Sequence, residues 1–249
     1  MPRLDPSARV VRCGCECSAP GPQDDSAGEA GSLFPIPHSL FPDVAVTRPS
    51  KIVCVGRNYL EHARELGNEV PERPLLFFKP PSAIIADGEA IVLPAVSRQV
   101  EHEGEIGVVI GRRAKDVAAA DAWDYVEGIV PLNDVTARDL QKPDGQWARA
   151  KGFDTFCPTG TVVPLDRVDR DGLEVICRVN GEVRQHGRVG DMAFSIPTLI
   201  EYISGVMTLE PGDLIATGTP AGVSPLNPGD VVEVEIPGVG ILRNPVQAP

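Results

Sequence analysis

Features that would indicate a membrane, secretion or nucleic acid are missing from the 249-residue sequence. No apolar run approaches the length needed to span a bilayer, and the first residues lack the unbroken apolar core of a signal peptide. The chain has only 23 Lys and Arg against 35 Asp and Glu, a formal net charge of −12, whereas nucleic acids and anionic membranes attract basic patches. We therefore expect a cytoplasmic protein that binds neither nucleic acid nor membrane.

The six cysteines contain no C-x-x-C pair. Cys13, Cys15 and Cys17 crowd a polar segment, but a C-x-C-x-C spacing lacks the complementary ligands of a zinc site. The other three, Cys54, Cys157 and Cys177, are scattered through segments that have the pattern of folded structure. The cysteines therefore do not predict a zinc centre.

Composition divides the chain at about residue 48. Residues 1–48 show no sustained hydrophobic period and contain linker-like stretches rich in Pro, Gly and Ser, which predicts a poorly ordered N-terminal extension; a misassigned start codon would look the same. Residues 49–249 contain short β-branched runs separated by glycines and prolines, typical of a single β-rich α+β domain with a few short helices.

The most informative stretch is residues 101–111, EHEGEIGVVIG. Its pattern predicts a strand on which Glu101, Glu103 and Glu105 share one face. Like charges about 4 Å apart repel by roughly 4 kcal/mol at an effective dielectric near 20, and a divalent cation would remove that cost. The alternative is that this end of the strand lies in solvent. We interpret His102, on the opposite face, as a packing residue or one that supports the site.

A third carboxylate follows about thirty residues later. Asp134 comes directly after the apolar run of residues 128–132, where a strand gives way to a turn or short helix, a common position for site residues. Two glutamates and one aspartate form an all-oxygen ligand set. Such a set suits Mg²⁺, Mn²⁺ or Ca²⁺ better than zinc.

Two further features are compatible with catalysis. His62 and Glu65 are three residues apart in a helix predicted over residues 60–66, so the carboxylate can orient the imidazole as a general base; the alternative is a solvated surface turn. Lys151 follows the acidic residues along the chain, and we expect it near them. Its ammonium group could bind a substrate carboxylate or stabilise an enolate; it could equally be a surface lysine.

The sequence resembles the fumarylacetoacetate hydrolase family, specifically its small acylpyruvate-hydrolase branch, from about Lys51 to Asn244. Seven motifs of that family occur in the same order. They are GRNY with His62 and Glu65, LFFKP at 76–80, HEGEIGVV at 102–109, DVTARDLQ at 134–141, KGFD at 151–154, FSIP at 194–197 and TGTP at 217–220.

The resemblance implies a mixed β-sheet roll with peripheral short helices, a homodimer, and Mg²⁺ or Mn²⁺ on Glu103, Glu105 and Asp134. It implies Lys151 as an enolate stabiliser and His62–Glu65 as a water-activating pair on a closing lid. The substrate-binding residues it implies are Arg57, Tyr59, Arg138, Gln141, Gly218 and Thr219. Many bacterial relatives carry a small N-terminal domain of strands, which residues 1–48 do not resemble.

The implied activity is cleavage of a carbon–carbon bond in an acylpyruvate-, fumarylacetoacetate- or fumarylpyruvate-type 2-oxo acid, through an enolate that the metal and Lys151 stabilise. The same site serves oxaloacetate decarboxylation or isomerisation of a 2-hydroxyhepta-2,4-diene-1,7-dioate in aromatic catabolism. Hydrolysis is preferred because the His62–Glu65 pair is present. A non-catalytic oxoacid-binding protein is a further alternative.

Overall fold

The computed structural model of the protein describes residues 48–65, 67 and 71–249. The N-terminal extension predicted over residues 1–48 therefore lies almost entirely outside the described residues and remains a prediction. Within the described part of the chain, no helix is long and apolar enough to cross a lipid bilayer.

Strands dominate the structure, which confirms the predicted β-rich α+β class. They are β1 (Ile52–Gly56), β2 (Leu75–Lys79), β3 (Ile84–Ile85), β4 (Ile91–Val92), β5 (Val100–Glu101), β6 (Gly104–Ile110), β7 (Val126–Asn133), β8 (Thr136–Ala137), β9 (Cys157–Pro158), β10 (Val163–Pro164), β11 (Glu174–Val179), β12 (Glu182–Arg188), β13 (Leu214–Ala216), β14 (Val231–Ile236) and β15 (Gly240–Gln247).

The helices are short. The α-helices are α1 (Leu60–Glu65), α2 (Arg138–Asp144), α3 (Ala148–Lys151) and α4 (Ile196–Val206), and 3₁₀ turns cover Pro81–Ala83, Ala119–Tyr125, Leu165–Arg167 and Val189–Asp191. In α4, Ser195 caps the first turn by accepting a hydrogen bond from Thr198 N–H, and the apolar residues at 196, 199, 200 and 203 are buried.

Two sheets form the body of this domain. The larger one has the strand order β10-β7-β6-β13-β1-β2, with β1 parallel to β13 and the remaining pairs antiparallel. The second has the order β12-β11-β14-β15-β4, and its strands β11 and β14 pack on β6 and β7. This mixed-sheet arrangement is the roll that the resemblance implies.

Residue alternation along the larger sheet builds two apolar layers. Val53 and Val55 of β1 join the core between the sheets, whereas Ile52 and Cys54 join a second cluster on the other face. Because side chains alternate between the two faces of a strand, the central strand β6 is covered on both sides, and all seven of its residues are buried. Charged side chains in this region are therefore shielded from bulk water.

The strand predicted over residues 101–111 is interrupted, which corrects the sequence-based expectation. Strand β5 ends at Glu101 and β6 begins at Gly104, so His102 and Glu103 lie between strands. The backbone of Glu103 bonds elsewhere: its N–H donates to Asn133 Oδ1, and its carbonyl accepts from Asp134 N–H, both at 2.9 Å.

Candidate active site

Three buried carboxylates converge at the point where β5 gives way to β6 and where β7 ends. Glu103, Glu105 and Asp134 each offer one carboxylate oxygen, and these three oxygens lie within 4.8 Å of one another. Glu105 is in β6, whereas Glu103 and Asp134 stand beside the strand ends and are joined by a main-chain hydrogen bond. The main chain thus fixes the spacing of this set, which we call the acidic triad.

Buried cations surround the acidic triad. Lys151 Nζ lies 2.7 Å from Glu103 Oε2 and 2.6 Å from Asp134 Oδ2, and its side chain is only 2% exposed. Lys79 Nζ donates to Asp134 Oδ1 at 2.5 Å and to Val135 O at 2.9 Å. Lys151 is therefore not a surface lysine, and it bridges two members of the triad.

Arg138 ties Glu101 to the same cluster. Its Nε donates to Glu101 Oε2 at 2.7 Å and its Nη2 to Glu103 Oε1 at 2.5 Å, while Nη1 donates to Gln141 Oε1 at 2.8 Å. Glu101 and Glu103 thus face the same guanidinium. Glu101 is not one of the three residues of the triad.

These surroundings separate the proton affinities of the two triad glutamates. Burial alone would raise the pKa of Glu103, but the charges of Lys151 and Arg138 hold that pKa well below its usual range. Burial raises the pKa of Glu105 well above its usual range, and the charges of Asp134 and Glu103 add to this effect. Burial would lower the pKa of Lys151, but Asp134 and Glu103 raise it, so its side chain remains an ammonium ion.

The donor chemistry fits a hard divalent cation. The triad supplies carboxylate oxygens only, with neither thiolate nor imidazole, and such sets prefer Mg²⁺, Mn²⁺ or Ca²⁺. Glu101, Glu103 and Asp134 form ion pairs with Lys79, Lys151 and Arg138. Glu105 adds a fourth carboxylate, so the cluster carries one formal negative charge. A divalent cation would make this charge positive and therefore suited to an anionic substrate.

His62 and Glu65 of α1 are in contact, as their spacing predicts. His62 Nδ1 lies 3.1 Å from Glu65 Oε2, and the imidazole is buried. Glu65 Oε1 also accepts from Gly222 N–H at 3.1 Å, which attaches α1 to the loop after β13. Because Nδ1 is engaged, Nε2 is the ring nitrogen that is left for a water molecule or substrate. The imidazole is shielded from solvent, whereas Glu65 lies on the exposed side of α1.

His62, Lys151 and the triad glutamates Glu103 and Glu105 line one cleft. Its wall is part aromatic, since Phe77 and Trp147 meet edge to face with centroids 5.0 Å apart. Four of the six predicted substrate-binding residues line the cleft: Arg57, Arg138, Gln141 and Thr219. Arg57 has a left-handed backbone with φ of 58°, and strained residues of this kind cluster at functional sites.

Tyr59 and Gly218, the other two predicted substrate binders, do not line this cleft. Tyr59 is buried, and its ring lies against Gly187, where an added Cβ would be 2.9 Å from a ring carbon. Gly218 donates its N–H to Glu105 Oε2 at 2.8 Å, and its φ of +100° together with the close Asn58 side chain requires a glycine. Their positions favour support of the site over direct contact with a substrate.

Sequence reasoning gave no role to Lys79, although a lysine inside the apolar run LLFFK was an available signal. It also missed Gln185, which is buried and accepts hydrogen bonds from Gly104 N–H and His102 Nδ1–H at 2.9 Å each. His102 Nε2 accepts from Ser224 Oγ at 2.9 Å, and burial lowers the pKa of this histidine. His102 thus lies in a hydrogen-bond network beside the triad, consistent with a supporting residue.

The fold and site together define a β-rich protein with a buried carboxylate cluster beside a buried lysine and a histidine–glutamate pair. The family described as fumarylacetoacetate (FAA) hydrolase, C-terminal, matches residues 51–247. The chain belongs to this family, which confirms the resemblance found in the sequence.

Two relatives are named for different reactions of the same compound, oxaloacetate. The chain is 45% identical to a mitochondrial oxaloacetate decarboxylase of Dictyostelium discoideum, over 76% of this chain and 89% of the relative. It is 43% identical to a mitochondrial oxaloacetate tautomerase of Bos taurus, over 80% and 92%. Oxo-acid chemistry is therefore common to these named relatives.

Two solved structures extend the range of reactions. A 2-hydroxyhepta-2,4-diene-1,7-dioate isomerase from Mycobacterium marinum is 50% identical with a TM-score of 0.74, over 81% of this chain and 75% of that one. A fumarylpyruvate hydrolase from Pseudomonas aeruginosa, in complex with Mn²⁺ and pyruvate, is 31% identical with a TM-score of 0.77, over 81% and 91%. Decarboxylase, tautomerase, isomerase and hydrolase activities thus all occur among similar proteins.

Proposed function

We propose that this protein is a divalent-metal-dependent hydrolase that cleaves a carbon–carbon bond in an acylpyruvate-type 2-oxo acid such as fumarylpyruvate, or in the related 1,3-diketone fumarylacetoacetate. The observation that carries the proposal is the contact between His62 and Glu65, because His62 lines the same cleft as Lys151 and the triad residues Glu103 and Glu105. Hydrolysis needs a base for water, and decarboxylation does not. The pair supplies that base.

The triad is the proposed site for Mg²⁺ or Mn²⁺, and Ca²⁺ is a third cation that the same oxygens suit. The complex of the P. aeruginosa hydrolase with Mn²⁺ and pyruvate supports this choice. When bound, such an ion supplies positive charge to the carboxylate and keto oxygens of a 2-oxo acid.

The side chains of the cleft divide the remaining work. His62 Nε2 takes a proton from the water molecule that attacks the distal carbonyl, and Glu65 stabilises the imidazolium that results. When the carbon–carbon bond breaks, its electron pair goes to the pyruvate fragment as an enolate, which the Lys151 ammonium stabilises. Protonation of that enolate gives pyruvate beside the second acid. Arg57, Arg138, Gln141 and Thr219 are the proposed substrate contacts.

The alternative is oxaloacetate decarboxylation or a related isomerisation. The similarity to the Dictyostelium decarboxylase and to the M. marinum isomerase supports this alternative. Loss of CO₂ from a β-carboxylate passes through the same enolate and requires Lys151 but no activated water. A non-catalytic oxoacid-binding protein would be expected to lack Lys151 or the His62–Glu65 pair, and both are in place here.

A substrate panel tests the proposal. The metal-free full chain is supplied with Mn²⁺ or Mg²⁺ and given fumarylpyruvate, a neutral acylpyruvate, oxaloacetate or 2-hydroxyhepta-2,4-diene-1,7-dioate, and products are identified by NMR. We expect pyruvate and the matching acid from an acylpyruvate. Turnover of oxaloacetate or the dioate alone would establish the alternative, and turnover of none of them would contradict an enzymatic function on these substrates.

We also propose a homodimer in the cytoplasm, as the composition and the family resemblance suggest. Phe78 supports self-association, because it is a large apolar residue that is 47% exposed on the edge strand β2. Analytical ultracentrifugation tests the oligomeric state, and a monomer at micromolar concentration would contradict it.

A further inference from the structure

Gln185 is a buried side chain on an otherwise exposed edge strand. Five of the seven residues of β12 are exposed, whereas Gln185 is 1% exposed. A primary amide has two donor and two acceptor positions, and all four are used here. Oε1 accepts from Gly104 N–H and His102 Nδ1–H at 2.9 Å each, and Nε2 donates to Thr219 Oγ1 and Pro220 O at 2.7 Å each.

The partners of this amide are the segments that form the site. Gly104 stands between the triad residues Glu103 and Glu105, and Thr219 follows Gly218, whose N–H holds the Glu105 carboxylate. Thr219 Oγ1 donates in turn to Gly104 O at 2.8 Å, so a closed ring of hydrogen bonds runs through Gln185, Thr219 and Gly104. One amide from the second sheet therefore sets the backbone between two triad residues and the wall of the cleft.

The region around this ring has little room to adjust. A Cβ at position 104 would lie 2.8 Å from the Cβ of Cys177 on β11, so the segment between the two glutamates presses directly on the second sheet. A buried amide whose partners cannot move leaves unpaired polar groups when it is truncated. Truncation of Gln185 is therefore expected to change the positions of the triad carboxylates and of Thr219.

We propose that Gln185 is a positioning residue that controls the affinity of the acidic triad for a divalent cation and the affinity of the cleft for the oxo acid. It touches neither the triad carboxylates nor the cleft, and acts through Gly104 and Thr219. Its two ends have separate tasks: the carbonyl holds the backbone between Glu103 and Glu105, and the amino group holds Thr219. This inference rests on the proposed function in taking the triad as the metal site.

Three variants of the full chain test the proposal. Gln185→Leu removes all four hydrogen bonds, while Gln185→Glu keeps acceptor oxygens for Gly104 and His102 but removes the donors to Thr219 and Pro220. Asn244→Leu is the matched control, because Asn244 is a buried amide of the same sheet whose Nδ2 donates to Ala86 O and Glu89 O. Each variant is measured for Mn²⁺ affinity by calorimetry, for kcat and KM, and for its unfolding midpoint.

We expect Gln185→Leu to bind Mn²⁺ about 10–100-fold more weakly, the usual effect of losing a group that orients metal ligands, and to have a raised KM. With saturating Mn²⁺ and substrate its kcat should recover to within a few-fold of wild type. The glutamate variant should keep Mn²⁺ affinity within a few-fold and show the raised KM. Asn244→Leu should lose stability and leave Mn²⁺ affinity and KM unchanged.

Wild-type Mn²⁺ affinity in Gln185→Leu, or an equal loss of affinity in Asn244→Leu, would overturn the positioning role. If the leucine variant does not fold, the glutamate variant decides: a wild-type KM overturns the proposal. These results are distinct from failure of the proposed function itself, which would show as a wild-type chain that binds no Mn²⁺ and turns over no oxo acid.

Discussion

Replacement of Lys151 by methionine separates the two roles that the structure gives to this ammonium group. Lys151 is the shared counter-ion of Glu103 Oε2 and Asp134 Oδ2. Methionine keeps a similar length and leaves these buried carboxylates without their common partner. Removal of one member of a buried ion pair costs roughly 3–5 kcal/mol. Arg138 and Lys79 still bind the other oxygens of these two carboxylates. We therefore expect the free energy of unfolding to fall by about 3 kcal/mol, the low end of that range.

A divalent cation on the same oxygens would supply the missing charge. Lys151 and the ion compete for Glu103 and Asp134, so the variant should bind Mn²⁺ more tightly than wild type. A difference of about 3 kcal/mol corresponds to roughly a hundredfold in affinity. Turnover should nevertheless fall steeply, because the ammonium that stabilises the enolate is gone.

Thermal unfolding in EDTA and in a series of Mn²⁺ concentrations measures the effect. In a domain of this size 1 kcal/mol shifts Tm by about 2–4 °C, so Lys151→Met should melt about 6–12 °C below wild type in EDTA, and Mn²⁺ should narrow the gap. Lys142→Met is the control, because Lys142 is an exposed lysine on α2. The reasoning would be refuted if Mn²⁺ left the difference in Tm between variant and wild type unchanged, or if Mn²⁺ raised the Tm of the wild type more than that of the variant.

Two other predictions concern the base and the pH dependence of stability. His62→Gln should reduce acylpyruvate hydrolysis about 10²–10⁴-fold and oxaloacetate decarboxylation much less, as judged by the ratio of the two rates in one variant; equal losses would show that His62 does not activate water. Burial would raise the pKa of Asp213, but hydrogen bonds from Lys51 and Ser50 lower it. Its contribution to stability is thus present above the unfolded-state pKa and disappears as the pH falls through the lower folded-state pKa. Asp213→Asn should therefore cost roughly 1.5–3 kcal/mol at pH 7 and little in strong acid, as measured by urea unfolding across pH; a loss that does not depend on pH would contradict this.

The triad could be predicted from the sequence because each of its residues lies in a short, recognisable pattern. Glu103 and Glu105 are two residues apart in a strand-like pattern, and Asp134 follows an apolar run, so both positions can be assigned from short windows. His62 and Glu65 likewise follow from the spacing of one helical turn. In each case the structure brings the named side chains together.

Long-range partners explain what the sequence could not predict. The break between β5 and β6 arises because Glu103 bonds Asn133, thirty residues away, whereas the local pattern favours an unbroken strand. Gln185 and Lys79 look like ordinary strand residues until β12 and β2 are placed against the triad. Tyr59 was assigned to the substrate from its motif, but its side chain lies outside the cleft.

Calorimetric titration of the metal-free chain with Mn²⁺ tests the central claim most directly. Wild type should bind one ion per chain, and activity should return in step with occupancy. Glu103→Gln, Glu105→Gln and Asp134→Asn should each lose this binding, while Glu101→Gln, in the same segment but outside the triad, should bind within a few-fold of wild type. Full turnover in EDTA, or wild-type affinity in the three triad variants, would contradict a metal-dependent enzyme at this site.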